Sequence, residues 1–310
     1  MSARSNVTLA LLFFVAPIAQ ADQTGTADKT PALGESVLTD SSAPTYDLRH
    51  QLSPNQTLRY KVTHIAKTKT RMSGSEEVAN VHTTSVRSWK VRDVSDKEMT
   101  FEHQIDSVAM TQQNGEKDEI RWDSLTGERP PAVFRVVAEQ IGTPLATVTI
   151  DSKGTELRRE SHAGSQSSLG MGSLTLTLPE NPVKIGESWT VPSEIQARTD
   201  DGQVKTIKTR QVYTLKKVSA GVATIAIKSQ TLTPIETESL RAQVVQQLSN
   251  GSVRFDIDNG YLLGKELDWD ETVVGFQGAG SMMEYRARMT EELVKEDTVK
   301  SASTPNTPLR

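Results

Sequence analysis

The chain has 310 residues, 35 Lys and Arg against 39 Asp and Glu, no cysteine, and only 5% aromatic residues. The two signs of charge are interspersed, without the basic patch or stripe of a nucleic-acid binder. The missing cysteines exclude thiol nucleophiles and disulfide staples. An outer-membrane barrel needs aromatic girdles around an apolar outer band; the low aromatic content and the polar Thr-Pro-Leu-Arg ending do not match one.

Met1 to Asn6 carries one positive charge, Arg4; Val7 to Ile18 is apolar; Ala19-Gln20-Ala21 has the small-x-small pattern. That order is a secretory signal peptide, with cleavage expected before Asp22. The apolar run is about a dozen residues, short of the roughly 20 that a spanning helix needs. No cysteine follows it to take a lipid, and no other segment is long and apolar enough to span a bilayer. The expected location is the periplasm or outside the cell, in soluble form. The remaining residues, about 290, bury enough surface to fold without disulfides.

Asp22 to Thr45 is rich in Thr, Ser, Asp, Ala and Pro, and Glu292 to Arg310 in Lys, Glu, Ser and Thr. Both have too little to bury and read as disordered ends. Leu58, Tyr60 and Val62 alternate with Arg59, Lys61 and Thr63, the period of a half-buried strand. Thr83 to Val91 reads as a second strand. Met99, Phe101, His103 and Ile105 form a third, after a hairpin turn at Ser95-Asp96-Lys97. Asn114-Gly115 is another turn. After Pro130-Pro131, the spacing of Val133, Phe134, Val137 and Ile141 predicts a helix of about ten residues, stopped at Gly142. Val148 and Ile150 read as the start of a further strand, turned back at Asp151 to Gly154.

The second half repeats this order. Trp89, Val91, Val94 and Phe101 fall on Tyr213, Leu215, Val218 and Ile225 without a gap; Leu58 falls on Trp189. Val133, Val137 and Ile141 fall on Leu240, Val244 and Leu248, and Ile150-Asp151 on Ile257-Asp258. Such self-similarity points to a duplicated unit. The units are expected at 46–161 and 179–293. Between them lies a Gly- and Ser-rich linker, with Leu174, Leu176 and Leu178 as a crossing strand or flap. The expected fold is mainly β with two short helices: a curved antiparallel sheet or half-barrel with both helices on its concave face. Its interior is either a filled core or a pocket.

Two segments carry a resemblance. Leu48-Arg49 with Leu52-Ser53-Pro54-Asn55-Gln56-Thr57-Leu58-Arg59-Tyr60-Lys61-Val62 resembles the opening of a family of uncharacterised exported bacterial proteins, of a kind frequent in planctomycete-type bacteria. Leu178-Pro179-Glu180-Asn181-Pro182-Val183-Lys184-Ile185-Gly186-Glu187-Ser188-Trp189 resembles a later segment of the same family. The order of strands and helices is more loosely similar to the periplasmic lipoprotein-carrier fold. That likeness implies an acyl ligand and transfers no individual residue.

No catalytic cluster emerges. There is no Gly-x-Ser-x-Gly elbow, and Gly170-Met171-Gly172-Ser173 reads as a turn before a strand. The histidines, His50, His64, His82, His103 and His162, lack helical metal spacing. His103 falls on an inward face as a core histidine, and His64 and His82 are candidates to meet across a sheet. Asp256, Asp258 and Asn259-Gly260 depart from the calcium-loop pattern and read as a hairpin. Asp268 and Asp270 beside Trp269 would be the acid pair of a hydrolase, but a solvated strand end is the plainer reading. Phe276 to Met283 reads as a glycine-rich hairpin or bulge.

The expected function is that of a non-catalytic envelope binding protein for an apolar or acyl ligand, with no metal and no cofactor. Its soft apolar lining would be Met171, Leu174, Leu176, Met282 and Met283. The expected partners are a lipid or the acyl chain of a lipoprotein. The alternative is a structural or interaction module that docks another envelope protein, and less favoured again is a hydrolase.

Overall fold

The computed structural model describes residues 43–162 and 174–295. The signal peptide, most of the N-terminal spacer, Gly170 to Ser173 and the tail beyond Lys295 lie outside these residues.

In chain order the strands are β1 (Thr45–Tyr46), β2 (Thr57–Met72), β3 (Ser75–Val94), β4 (Met99–Asn114), β5 (Ile120–Asp123), β6 (Pro144–Ile150) and β7 (Glu156–Ser161). They continue as β8 (Val183–Lys184), β9 (Ser188–Arg198), β10 (Val204–Ser219), β11 (Val222–Thr231), β12 (Asn250–Asp256), β13 (Tyr261–Val274) and β14 (Met282–Leu293). Helix α1 (Arg135–Ala138) lies between β5 and β6, and α2 (Glu238–Val244) between β11 and β12. No described helix is long and apolar enough to cross a membrane.

One antiparallel sheet of 12 strands dominates, in the order β7-β6-β4-β3-β2-β14-β13-β12-β11-β10-β9, with β5 beside β4. Each half is a meander of long hairpins with its helix before the fourth strand of the run. β14 joins the halves by pairing with β13 on one side and β2 on the other. Both free edges are guarded. β7 carries Glu156, Arg158, Arg159 and Glu160, and β9 carries Pro192, which cannot donate to a further strand.

The ladders test the repeat directly. Val91 pairs with Phe101 and Leu215 with Ile225; Leu58 pairs with Trp89 and Trp189 with Tyr213. The gap-free superposition thus matches two strands of each half in register, and Leu58 and Trp189, aligned with a gap, occupy equivalent positions in the strand before them. The fourth strand does not follow it. Phe101 pairs with Val148, whereas Ile225 pairs with Val253. Val148 is therefore equivalent to Val253, and Ile150 to Phe255 rather than to Ile257. The Ile-Asp match fails because Ile150 ends β6, whereas Ile257 lies in the turn after β12.

Several expectations need correcting. Val148 and Ile150 end β6 rather than begin it. The first helix is not ten residues long. A 3-10 turn over Ala132–Phe134 leads into one turn of α-helix, with no capping side chain at either start. Leu174, Leu176 and Leu178 form no strand; Leu176 and Leu178 are buried in an irregular segment. His64 and His82 stand on opposite faces, because His64 pairs with Thr83 and His82 with Ile65.

The sheet curls on itself. Its main core draws Trp89, Phe101 and Val148 from one half together with Tyr213, Ile225 and Phe255 from the other. The Tyr60 hydroxyl donates to the Leu262 carbonyl across two strand boundaries. Helix α2 packs on Ile195 and Ile207 near one edge and, through Ala242 and Val245, on Val273 and Met283 of the middle strands. Thr237 caps it by accepting from Leu240 N at 3.3 Å. The 3-10 turn that leads into α1 inserts Phe134 among Ile105, Val108, Met110 and Trp122. Both helices therefore lie on the inner face. One end of the coil is closed by the chain around Leu48 to Leu52 and by Leu176 to Val183, all packed into the main core.

Candidate functional site

Strand alternation gives the sheet an outer face of charged residues and an inner face that should be apolar. At mid-height the inner face breaks that rule. Reading across the ladders, Ser85, Val62, Glu291 and Lys265 form one inward row over β3, β2, β14 and β13. Thr83, His64, Met289 and Leu267 form the next. Arg87 and Tyr60 lie one row to the other side, and His103 faces inward beside Trp89.

The charges here are unevenly paired. Lys265 Nζ lies 2.7 Å from Glu291 Oε2. Arg87 donates through Nε to Ser85 Oγ at 3.1 Å and, among the described residues, makes no ion pair. Burial pulls the Arg87 guanidinium below its ordinary value, opposed by Glu291, but arginine stays charged in proteins. Burial, and then the Arg87 charge, hold His64 below its usual range. Burial, followed by Arg87 and Arg159, takes His103 down to about 3. Both imidazoles are therefore neutral near pH 7, and Glu271, inward on β13 opposite Tyr285, joins Glu291 as a second carboxylate of this face. The Tyr60 phenol is raised by burial first and by Glu291 second.

Three buried polar atoms of this face have no hydrogen-bond partner: Thr83 Oγ1, His103 Nδ1 and Trp269 Nε1. Unpaired buried donors and acceptors are rare and ask for an explanation. The Trp269 ring meets His64 edge-on, 6.3 Å between centroids. Met289 and Leu267 pack against the main core yet stay half-buried.

The lining expected from sequence is not brought together. Leu174 and Leu176 join the main core, Leu176 being buried and Leu174 partly so. Met283 is buried under α2. Met282, one residue away in β14, points to the opposite face, paired with Arg71 and Val274. Met171 lies outside the described residues. Asp268 and Asp270 are on the outer face, bonded to Arg288 at 2.6 Å and Arg286 at 3.1 Å across the ladder. Asp256 accepts from the backbone of Asp258 and Asn259 in the β12–β13 turn, as the hairpin reading requires.

Sequence reasoning passed over Arg87, Lys265 and Glu291. A signal existed: Arg87 and Glu291 occupy the inward register of Trp89 and of Met283, Tyr285 and Met289. A charge in an apolar register marks a site or a buried pair.

A protein-family model described as "Family of unknown function (DUF6263)" matches residues 166–262. That span runs from before β8 to the start of β13 and includes the second of the two segments singled out above. No curated protein matches. Among solved structures the chain is similar to one titled "Lipid-protein interactions in lipovitellin". The identity is 12% over 79% of this chain, with a TM-score of 0.42. The chain spans about a quarter of that protein, 26% of its length.

Proposed function

We propose that this protein is an exported, non-catalytic binding protein of the cell envelope that holds an apolar or acyl ligand against the inner face of its curled sheet. One observation carries the reading: Met289, Leu267 and Trp269 face inward at mid-height and stay only half-buried beside an unpartnered indole N–H. Apolar area left open on a concave face is worth about 25 cal/mol per Å2 to whatever covers it. Concave apolar surface with a few polar groups is the usual character of a small-molecule site. The guarded edges weigh against docking by strand addition, and export rests on the pattern of Met1 to Ala21.

The test is expression with the chain's own leader, purification from the periplasm, and native mass spectrometry followed by organic extraction. A mature mass starting at Asp22 with a co-purifying acyl compound is the expected result. Protein that carries nothing and fails to bind fluorescent acyl probes after delipidation would remove the ligand reading. Protein retained in the cytoplasm would remove export.

A further inference from the structure

The Arg87 side chain is half-buried on the inner face, and a partly desolvated guanidinium favours a counter-ion. Here the nearby carboxylate, Glu291, is already bonded to Lys265 at 2.7 Å. Arg87 uses only Nε, on Ser85 Oγ, which leaves its terminal amino groups without a protein partner. Its bond to Ser85 turns the side chain along β3 toward Thr83, whose hydroxyl is buried and unpartnered. Thr83 opens the row that continues through His64 to Met289 and Leu267. That row reads hydroxyl, then imidazole, then apolar side chains, with the Arg87 cation two rows away on the same face of β3. With about 4.8 Å between strands, that row spans about 14 Å from β3 to β13.

We infer that the inner face is built for an anionic amphiphile: Arg87, with Thr83 two rows along the same face of β3, receives a carboxylate or phosphate head group, and Met289 and Leu267 cover the start of the acyl chain. This rests on the acyl-ligand reading above and adds the head-group chemistry to it. A planar guanidinium with free terminal N–H groups matches carboxylate and phosphate in a two-pronged fashion that a lysine does not.

The test uses the delipidated full chain with three ligands: cis-parinaric acid, its methyl ester, and inorganic phosphate. Wild type is expected to bind the acid at least tenfold more tightly than the ester. Arg87→Met should reduce the acid to the ester's affinity while leaving ester binding unchanged, which also reports that the variant is folded. Arg87→Lys should recover part of the preference, and Thr83→Val should weaken the acid about threefold. The indole N–H resonance of Trp269 should shift with the acid and with the ester. Equal affinity of wild type for acid and ester overturns the inference, as does a preference that survives in Arg87→Met. Phosphate binding that depends on Arg87, with neither acyl probe bound, would keep the anion site and reject the acyl reading. No binding of any of the three would overturn both.

Discussion

Lys265 and Glu291 face each other across the β13–β14 ladder, joined at 2.7 Å on the inner face of the sheet, where side chains are otherwise mostly apolar or uncharged. Removing one partner strands the other in a half-dry environment, whereas replacing both with apolar groups removes the desolvation penalty as well. Glu291→Gln leaves both Lys265 and Arg87 without a carboxylate. It is expected to lower stability by about 2 kcal/mol. The double variant Lys265→Met with Glu291→Leu is expected within about 1 kcal/mol of wild type. Urea unfolding of the two proteins decides the point, and equal loss in both would refute the account.

Gly154 and Gly127 share nearly the same left-handed backbone, φ 79 and 77 degrees. A Cβ on Gly154 would lie 2.4 Å from the Leu176 carbonyl and 2.7 Å from His50 Nε2; at Gly127 nothing lies within 4 Å. Gly127→Ala should therefore carry only the left-handed penalty, about 1 kcal/mol. Gly154→Ala should lose about 3 kcal/mol or more, since it also pushes the closing segment off the core. Thermal melts of the pair separate backbone strain from steric conflict.

The Tyr60 hydroxyl reaches Leu262 O at 3.2 Å, linking the two halves of the chain. Tyr60→Phe keeps the ring against Trp89 and deletes only that bond. The expected loss is about 1 kcal/mol, read from the urea midpoint at unchanged slope.

Acid should weaken the fold before any carboxylate titrates. His103 is held at about 3 in the native state, by burial first and then by the Arg87 and Arg159 charges. The unfolded chain takes up that proton near pH 6.5, so between pH 6.5 and 3 the unfolded state binds more protons and stability drops as pH falls. At pH 5 this one residue accounts for about 2 kcal/mol. His50 and His64, both lowered by burial, act in the same direction. Unfolding free energies at pH 7.5 and 5 should show a smaller difference in His103→Gln than in wild type; an identical difference would exclude His103 as a source.

Much of the fold could be read from local pattern. The alternation of Leu58, Tyr60 and Val62, the turn at Ser95 to Lys97 and the register of Val91 on Phe101 all follow from neighbours in the chain. The third strand reads only to Ile105 because the pattern then breaks. In the structure β4 runs on to Asn114, with Asp106 as an extra residue opposite β3, and Val108 and Met110 face inward on the shifted parity. A bulge inverts the alternation that periodicity relies on. The short first helix is a second case: Val133 and Val136 fit a helical spacing but stay exposed, and only Phe134 is buried.

By itself, the sequence determined the class of the fold, most strands and their hairpin turns, and the parallel order of the two halves, because each depends on periodicity and turn chemistry within a few residues. The tertiary structure alone decided that β14 would close the gap beside β2, and that Arg87, His103, His64, Lys265 and Glu291 would gather on one inner face. Alternation assigns a residue to one of two faces without saying which strand will lie beside it. Here the decisive pairing, Ala66 opposite Ala287, joins positions from opposite ends of the chain through backbone hydrogen bonds that carry no side-chain signature.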